Sequence, residues 1–87
     1  MAVWGLDVEQ VRNLSSQLRQ QADQIQEILS TLTNTLNSTQ WMGPDSEQFR
    51  NEWSTTHTSA LRQVINSMHE ASQKAQQNAA EQESVSR

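Results

Sequence analysis

Apolar side chains recur through the first half of the chain at Val8, Val11, Leu14, Leu18, Ala22, Ile25, Leu29, Leu32 and Leu36. From Leu14 onward the steps are 4, 4, 3, 4, 3 and 4, the spacing of one stripe along a helix. In heptads, Val11, Leu18, Ile25 and Leu32 take one seam, and Val8, Ser15, Ala22, Leu29 and Leu36 take the other. Leu14 and Ile28 widen the stripe on one flank, enough to touch more than one partner helix. Ser15 and Ala22 are small, so another backbone can approach closely there. The pattern predicts a helix from about residue 8 to about residue 40, roughly 50 Å long. Four threonines between Thr31 and Thr39 are mediocre helix formers. The continuing Leu29, Leu32, Leu36 stripe is expected to override them.

A second stripe runs through Phe49, Trp53, His57, Ala60 or Leu61, Val64, Met68, Ala71 and Ala75, again in threes and fours. It predicts a helix over about 45–76. Beyond Gln76 the ladder ends and Ala79 and Val85 stand isolated, so residues 77–87 are expected to form a flexible tail. Between the stripes lies Gln40-Trp41-Met42-Gly43-Pro44-Asp45, which holds the sole proline and one of two glycines. Gly43 can take the left-handed conformation that ends a helix, and Pro44 suits the first turn of the next. A turn is therefore expected over 41–44. Asp7 with Gln10, and Asp45 with Gln48, offer capping boxes. Trp4 and Leu6 form a lead-in, with Leu6 placed to staple against Val11.

Two long helices joined by so short a turn must lie antiparallel. The expected fold is all-α, a single domain over 1–87 built as an antiparallel two-helix hairpin. One hairpin covers only part of each stripe, so dimerisation into a four-helix bundle is expected. The residues expected at the interface are Val11, Leu14, Leu18, Ala22, Ile25, Leu29, Leu32, Leu36, Phe49, Trp53, Leu61, Val64 and Met68. The partner is either the same chain or a related hairpin.

Composition sharpens this. Only 33% of the 87 residues are hydrophobic, which argues against a self-sufficient monomer core. A net charge of −4 disfavours nucleic acid and anionic membrane surfaces alike. No apolar run approaches a membrane span. There is no cysteine, hence no disulfide framework or thiolate metal site. The N-terminal residues lack a basic region followed by an apolar one, so no cleavable leader is expected.

Candidate chemistry is sparse. His57 and His69 are about 18 Å apart by helical rise, too far to share a metal. His57 lies on the apolar stripe and reads as a packed, hydrogen-bonded histidine, and His69 as a solvated-face residue. Glu47, Glu52, Glu70, Glu81 and Glu83 form no pair across a cleft, and there is no glycine-rich phosphate loop. No catalytic residue, metal ligand or cofactor site is assigned, and an enzyme is not expected. Trp41 reads in two ways, as a plug for the end of a bundle or as an exposed anchor for a partner.

Trp41-Met42-Gly43, central in a chain of this length and flanked by two amphipathic helices, resembles the motif of the WXG superfamily. These are the ESAT-like small substrates of type VII secretion systems in actinobacteria and other Gram-positive bacteria. Gly43-Pro44-Asp45, followed by Phe49 and Trp53, looks most like actinobacterial members. The resemblance implies a hairpin that pairs as a homodimer or heterodimer, interacts with the type VII machinery, and is exported from the cytoplasm without a cleaved signal peptide. It also implies that Trp41 and Gly43 sit at the tip, as half of an export signal completed by a C-terminal Tyr-x-x-x-Asp/Glu on the partner chain. This sequence contains no tyrosine. Gln77 and Ala79 stand where an aromatic would precede Glu81 and Glu83. Either a partner carries the missing half, or this member acts without that route. The reading is a non-enzymatic secretion substrate or co-secreted partner. The alternatives are a non-exported adaptor or chaperone for a larger toxin or effector, and a membrane-active protein. Acidic, glutamine-rich polar faces weigh against the last.

Overall fold

The computed structural model describes residues 5–85. The lead-in role expected of Trp4, and the last two residues of the expected tail, lie outside them. Helix α1 spans Val8–Ser38. Its N-terminus is fixed by Asp7, whose Oδ1 accepts the backbone N–H of Gln10 at 3.0 Å, satisfying a donor with no partner inside the helix. At its other end the hydroxyls of Thr35, Ser38 and Thr39 donate to carbonyls three or four residues back. The polar residues that lower helix propensity here thus bond along the helix itself.

A second long helical segment follows in three parts. Helix α2 spans Pro44–Glu52, a π-helical turn spans Trp53–His57, and helix α3 spans Thr58–Val85. The Thr58 N–H bonds to the Trp53 carbonyl, five residues back. α1 and α3 pack antiparallel, giving an all-α hairpin of 66 × 17 × 15 Å, two helices thick along its length.

The seam between the helices repeats every seven residues on both sides. Ser15, Ala22 and Leu29 of α1 are buried, and Ile65, Ser72 and Ala79 of α3 are buried against them. At the Ser15–Ser72 level each hydroxyl donates to the opposite backbone carbonyl, at 2.8 and 2.7 Å. The two oxygens sit 3.0 Å apart, with both protons already spent on the carbonyls. Only side chains this small let two helix backbones come within reach of such bonds.

Three expectations need correction. α3 continues to Val85 rather than ending near residue 76. Ala79 is not isolated but 0% exposed, one heptad beyond Ser72, and Arg12 pairs with Glu83 at 2.9 Å. The inward line of the second segment is also not the apolar stripe read from the sequence. It runs through Ser46 and Trp53, then jumps five residues across the π-turn to Thr58, and continues through Ile65, Ser72 and Ala79. The stripe of uniform threes and fours tracks a flank of α3, where Val64 and Ala71 are exposed. A π-turn inserts one residue into the helical repeat and rotates everything after it. Finally, Gly43 has positive φ, 113°, yet it does not end α1. That helix stops at Ser38 with an extended Thr39. Gly43 instead leads into α2, accepting the Glu47 N–H at 3.1 Å. Pro44 fills the first helical position, and no side chain caps it. Asp45 therefore adds favourable charge to the first turn without acting as the cap.

Candidate functional site

The surface has three parts: a tip, an apolar side and a polar side. The tip is assembled by Ser46 and Arg50, which the sequence reading did not single out. Ser46 is buried, and its hydroxyl donates to the Trp41 carbonyl at 2.8 Å. Arg50 Nε donates to that same hydroxyl oxygen at 2.9 Å. Its Nη1 reaches the Leu36 carbonyl at 2.8 Å and its Nη2 the Thr39 carbonyl at 3.0 Å. α1 carries no basic residue in its own last turn, so Arg50 supplies from across the hairpin the cation that a helix C-terminus favours. No sequence signal marks this, because the partners are backbone groups 11 and 14 residues away. The Ser46–Arg50 spacing, one turn of a helix, brings those two side chains together but says nothing of the backbone groups they reach.

Within this frame the Trp41 and Phe49 rings meet at 5.4 Å between centroids, tilted by 53°. With Leu32, Leu36 and Trp53 they line an open apolar hollow of about 280 Å³. Trp41 remains partly exposed, and Met42 beside it is 93% exposed. Trp53 crosses the seam. Its ring faces this hollow, while its Nε1–H donates to the Thr33 hydroxyl at 3.0 Å.

Along the stem the two sides differ. On one, Leu14, Ile28, Leu32 and Val64 are 46–56% exposed. Between them Val11, Leu18, Ile25, Leu61 and Met68 are half-buried, and Leu18 shares a shallow apolar hollow with Val64, Met68 and Ala71. Of the residues expected to meet a partner, Ala22 and Leu29 are instead consumed inside the single hairpin. The seam that holds them cannot face two directions. Leu36 and Trp53 are half-buried at the tip, and Phe49 is exposed there. The opposite side is a polar ladder between the helices: Arg12 with Glu83 at 2.9 Å, Arg19 donating to Gln76 at 3.4 Å, and Asp23 near His69 at 3.7 Å.

His57 is not packed as expected. It lies exposed in the π-turn, its ring 6.2 Å from that of Trp53, because the inserted residue swings it off the inward line. His69 is half-buried beside Asp23. Among the described residues no group of three or more His, Asp or Glu could hold a metal ion, and no helix is long and apolar enough to cross a membrane. What the geometry offers is exposed apolar surface along one side of the stem and at the tip.

No curated protein and no solved structure is significantly similar to this chain. A family model described as a WXG100-like domain matches residues 5–85, which covers the hairpin, its tip with Trp41 and Gly43, and both long helical segments. With that match over nearly its whole length, the chain belongs to the WXG100-like family and is a small helical protein associated with type VII secretion.

Proposed function

We propose that this hairpin acts as a dimer, as a substrate or co-secreted partner of a type VII secretion system. It leaves the cytoplasm without a cleaved leader, and Trp41 and Gly43 at its tip are the part that the machinery or a partner reads. Proteins of the family are in general non-enzymatic, in keeping with a role exercised through surfaces. The observation that carries the reading is the uncovered apolar side, with Leu14, Ile28, Leu32 and Val64 about half exposed over the length of the stem. A contiguous apolar strip of that extent calls for a protein partner. A second hairpin laid against it, a further copy or a related chain, completes a four-helix bundle.

The test is the light-scattering mass of the purified chain together with its helical circular dichroism. A helical species of twice the 9.9 kDa chain mass is expected, and Ile28→Asp should return it to a single chain. A stable, fully helical monomer would sink the reading, while a weakly helical one would assign the pairing to a different hairpin. For the tip, Trp41→Ala should reduce export in a secretion assay while barely moving the thermal melt. Equal losses in both would leave Trp41 as a packing residue only.

A further inference from the structure

Among the described residues, the polar side holds one cation that the hairpin does not satisfy. From Arg12–Glu83 to Arg19–Gln76 the ladder climbs seven residues on α1 and descends seven on α3. The next two levels are Gln26 with His69, and Thr33 with Arg62. At that last level Thr33 has no charge to offer, and its hydroxyl already accepts the Trp53 indole N–H. Among the described residues Arg62 and Lys74 are the lysines and arginines without a hydrogen bond or ion pair, whereas Arg12, Arg19 and Arg50 all have partners.

Arg62 also lines a concave surface. With Gln26, Asn34 and Thr58 it borders an open hollow of about 480 Å³ beside the π-turn, whose floor is Leu29 and Trp53. The hollow therefore combines an apolar base, amide and hydroxyl groups around it, and one uncompensated guanidinium in a chain of net charge −4. Such a set suits a side chain with a methylene stem and an anionic head. The guanidinium fork takes a carboxylate through two parallel N–H donors, and side-chain amides can serve its remaining lone pairs. The hollow runs open between two helices, so it cannot enclose a small free acid. It has room for a turn of helix presenting one.

We propose that this hollow is a second docking site, separate from the apolar side, which receives a glutamate carried on a helix of a partner protein. Because it faces away from Leu14, Ile28 and Val64, it stays open when the apolar side is paired.

The probe is an alanine-based helical peptide bearing one central glutamate, compared with the same peptide bearing glutamine. Nitrogen-15 spectra of the full chain would follow the side-chain amides of Gln26 and Asn34 and the Trp53 indole. The glutamate peptide should bind about fivefold more tightly than the glutamine peptide, the ratio set by the upper range of an exposed ion pair. Arg62→Gln should abolish the difference while leaving helical circular dichroism unchanged. Equal binding of the two peptides to the wild-type chain would overturn the proposal whatever the variant does. So would discrimination that persists in Arg62→Gln, or a response centred on Lys74.

Discussion

The tip and the stem of this hairpin are held together in opposite ways. The stem relies on repetition, with small or aliphatic residues every seven positions on both helices, buried against one another. The hydrogen bonds buried inside it are those of the Ser15–Ser72 pair. The tip relies on individual bonds that occur once: Arg50 to the Leu36 and Thr39 carbonyls, Ser46 to the Trp41 carbonyl, and Trp53 to Thr33. A repeated seam tolerates local change but fixes only that the helices pair. The singular bonds at the tip fix where Trp41 and Phe49 stand. The π-turn at Trp53–His57 joins the two regimes, setting the rotation at which both face α1.

That comparison can be broken most directly at its joint. Inserting one alanine after Thr56 adds a residue that the π-turn, already one over, cannot absorb, and should rotate the tip against the stem by about 100°, one residue of helix. Several side-chain bonds would go together, with a loss of at least about 3 kcal/mol in denaturant unfolding, given that bonds to charged groups contribute ~1.5–3 kcal/mol each. An unchanged Trp53 indole proton in the lengthened chain would show that the turn sets no register. Arg50→Met keeps much of the apolar stem of the side chain but removes the cap on α1, and should cost about 2 kcal/mol. Its effect on hydrogen exchange should concentrate near Leu36 and Thr39, not along the stem. Gly43→Ala has open space around the added carbon but forces φ 113° on an alanine, for about 1–2 kcal/mol of strain. A stability equal to wild type would mean that the turn relaxes at no cost. Arg12→Gln, at the exposed end of the ladder, should shift the melting midpoint least, within about 0.5 kcal/mol.

The uneven legibility of the chain follows the same division. Helix α1 could be read because large aliphatic residues mark its stripe in unbroken threes and fours, and Asp7 announces its start. The inner line of α3 could not, for two physical reasons. Its seam residues Ser72 and Ala79 carry little hydrophobic signal, since what they contribute is closeness. The π-turn then displaced the repeat by one residue, so Ile65 fell outside a stripe drawn without it. Trp41 and Gly43 stood out as a turn, yet the residues that build the tip, Ser46 and Arg50, act through bonds to backbone groups, and backbone leaves no trace in composition. Leu29 shows the consequence. It looked like an interface residue, but it is buried within one chain, so a charge placed there would disrupt the hairpin itself rather than its pairing.

Because the helices run antiparallel, residues near Gly5 and Val85 emerge at the same end of the rod. A pull on the C-terminal end would therefore act in a peeling direction, loading Arg12–Glu83 first, then Arg19–Gln76, then the reciprocal serines, each in turn and never all at once. Such a zipper yields at low force from that end, whereas a pull between the tip and the C-terminal end runs along the backbone of the second helical segment and leaves the seam unloaded. The molecule is mechanically weak in one direction and stiff in the other, and the weak direction is the one its own tail presents.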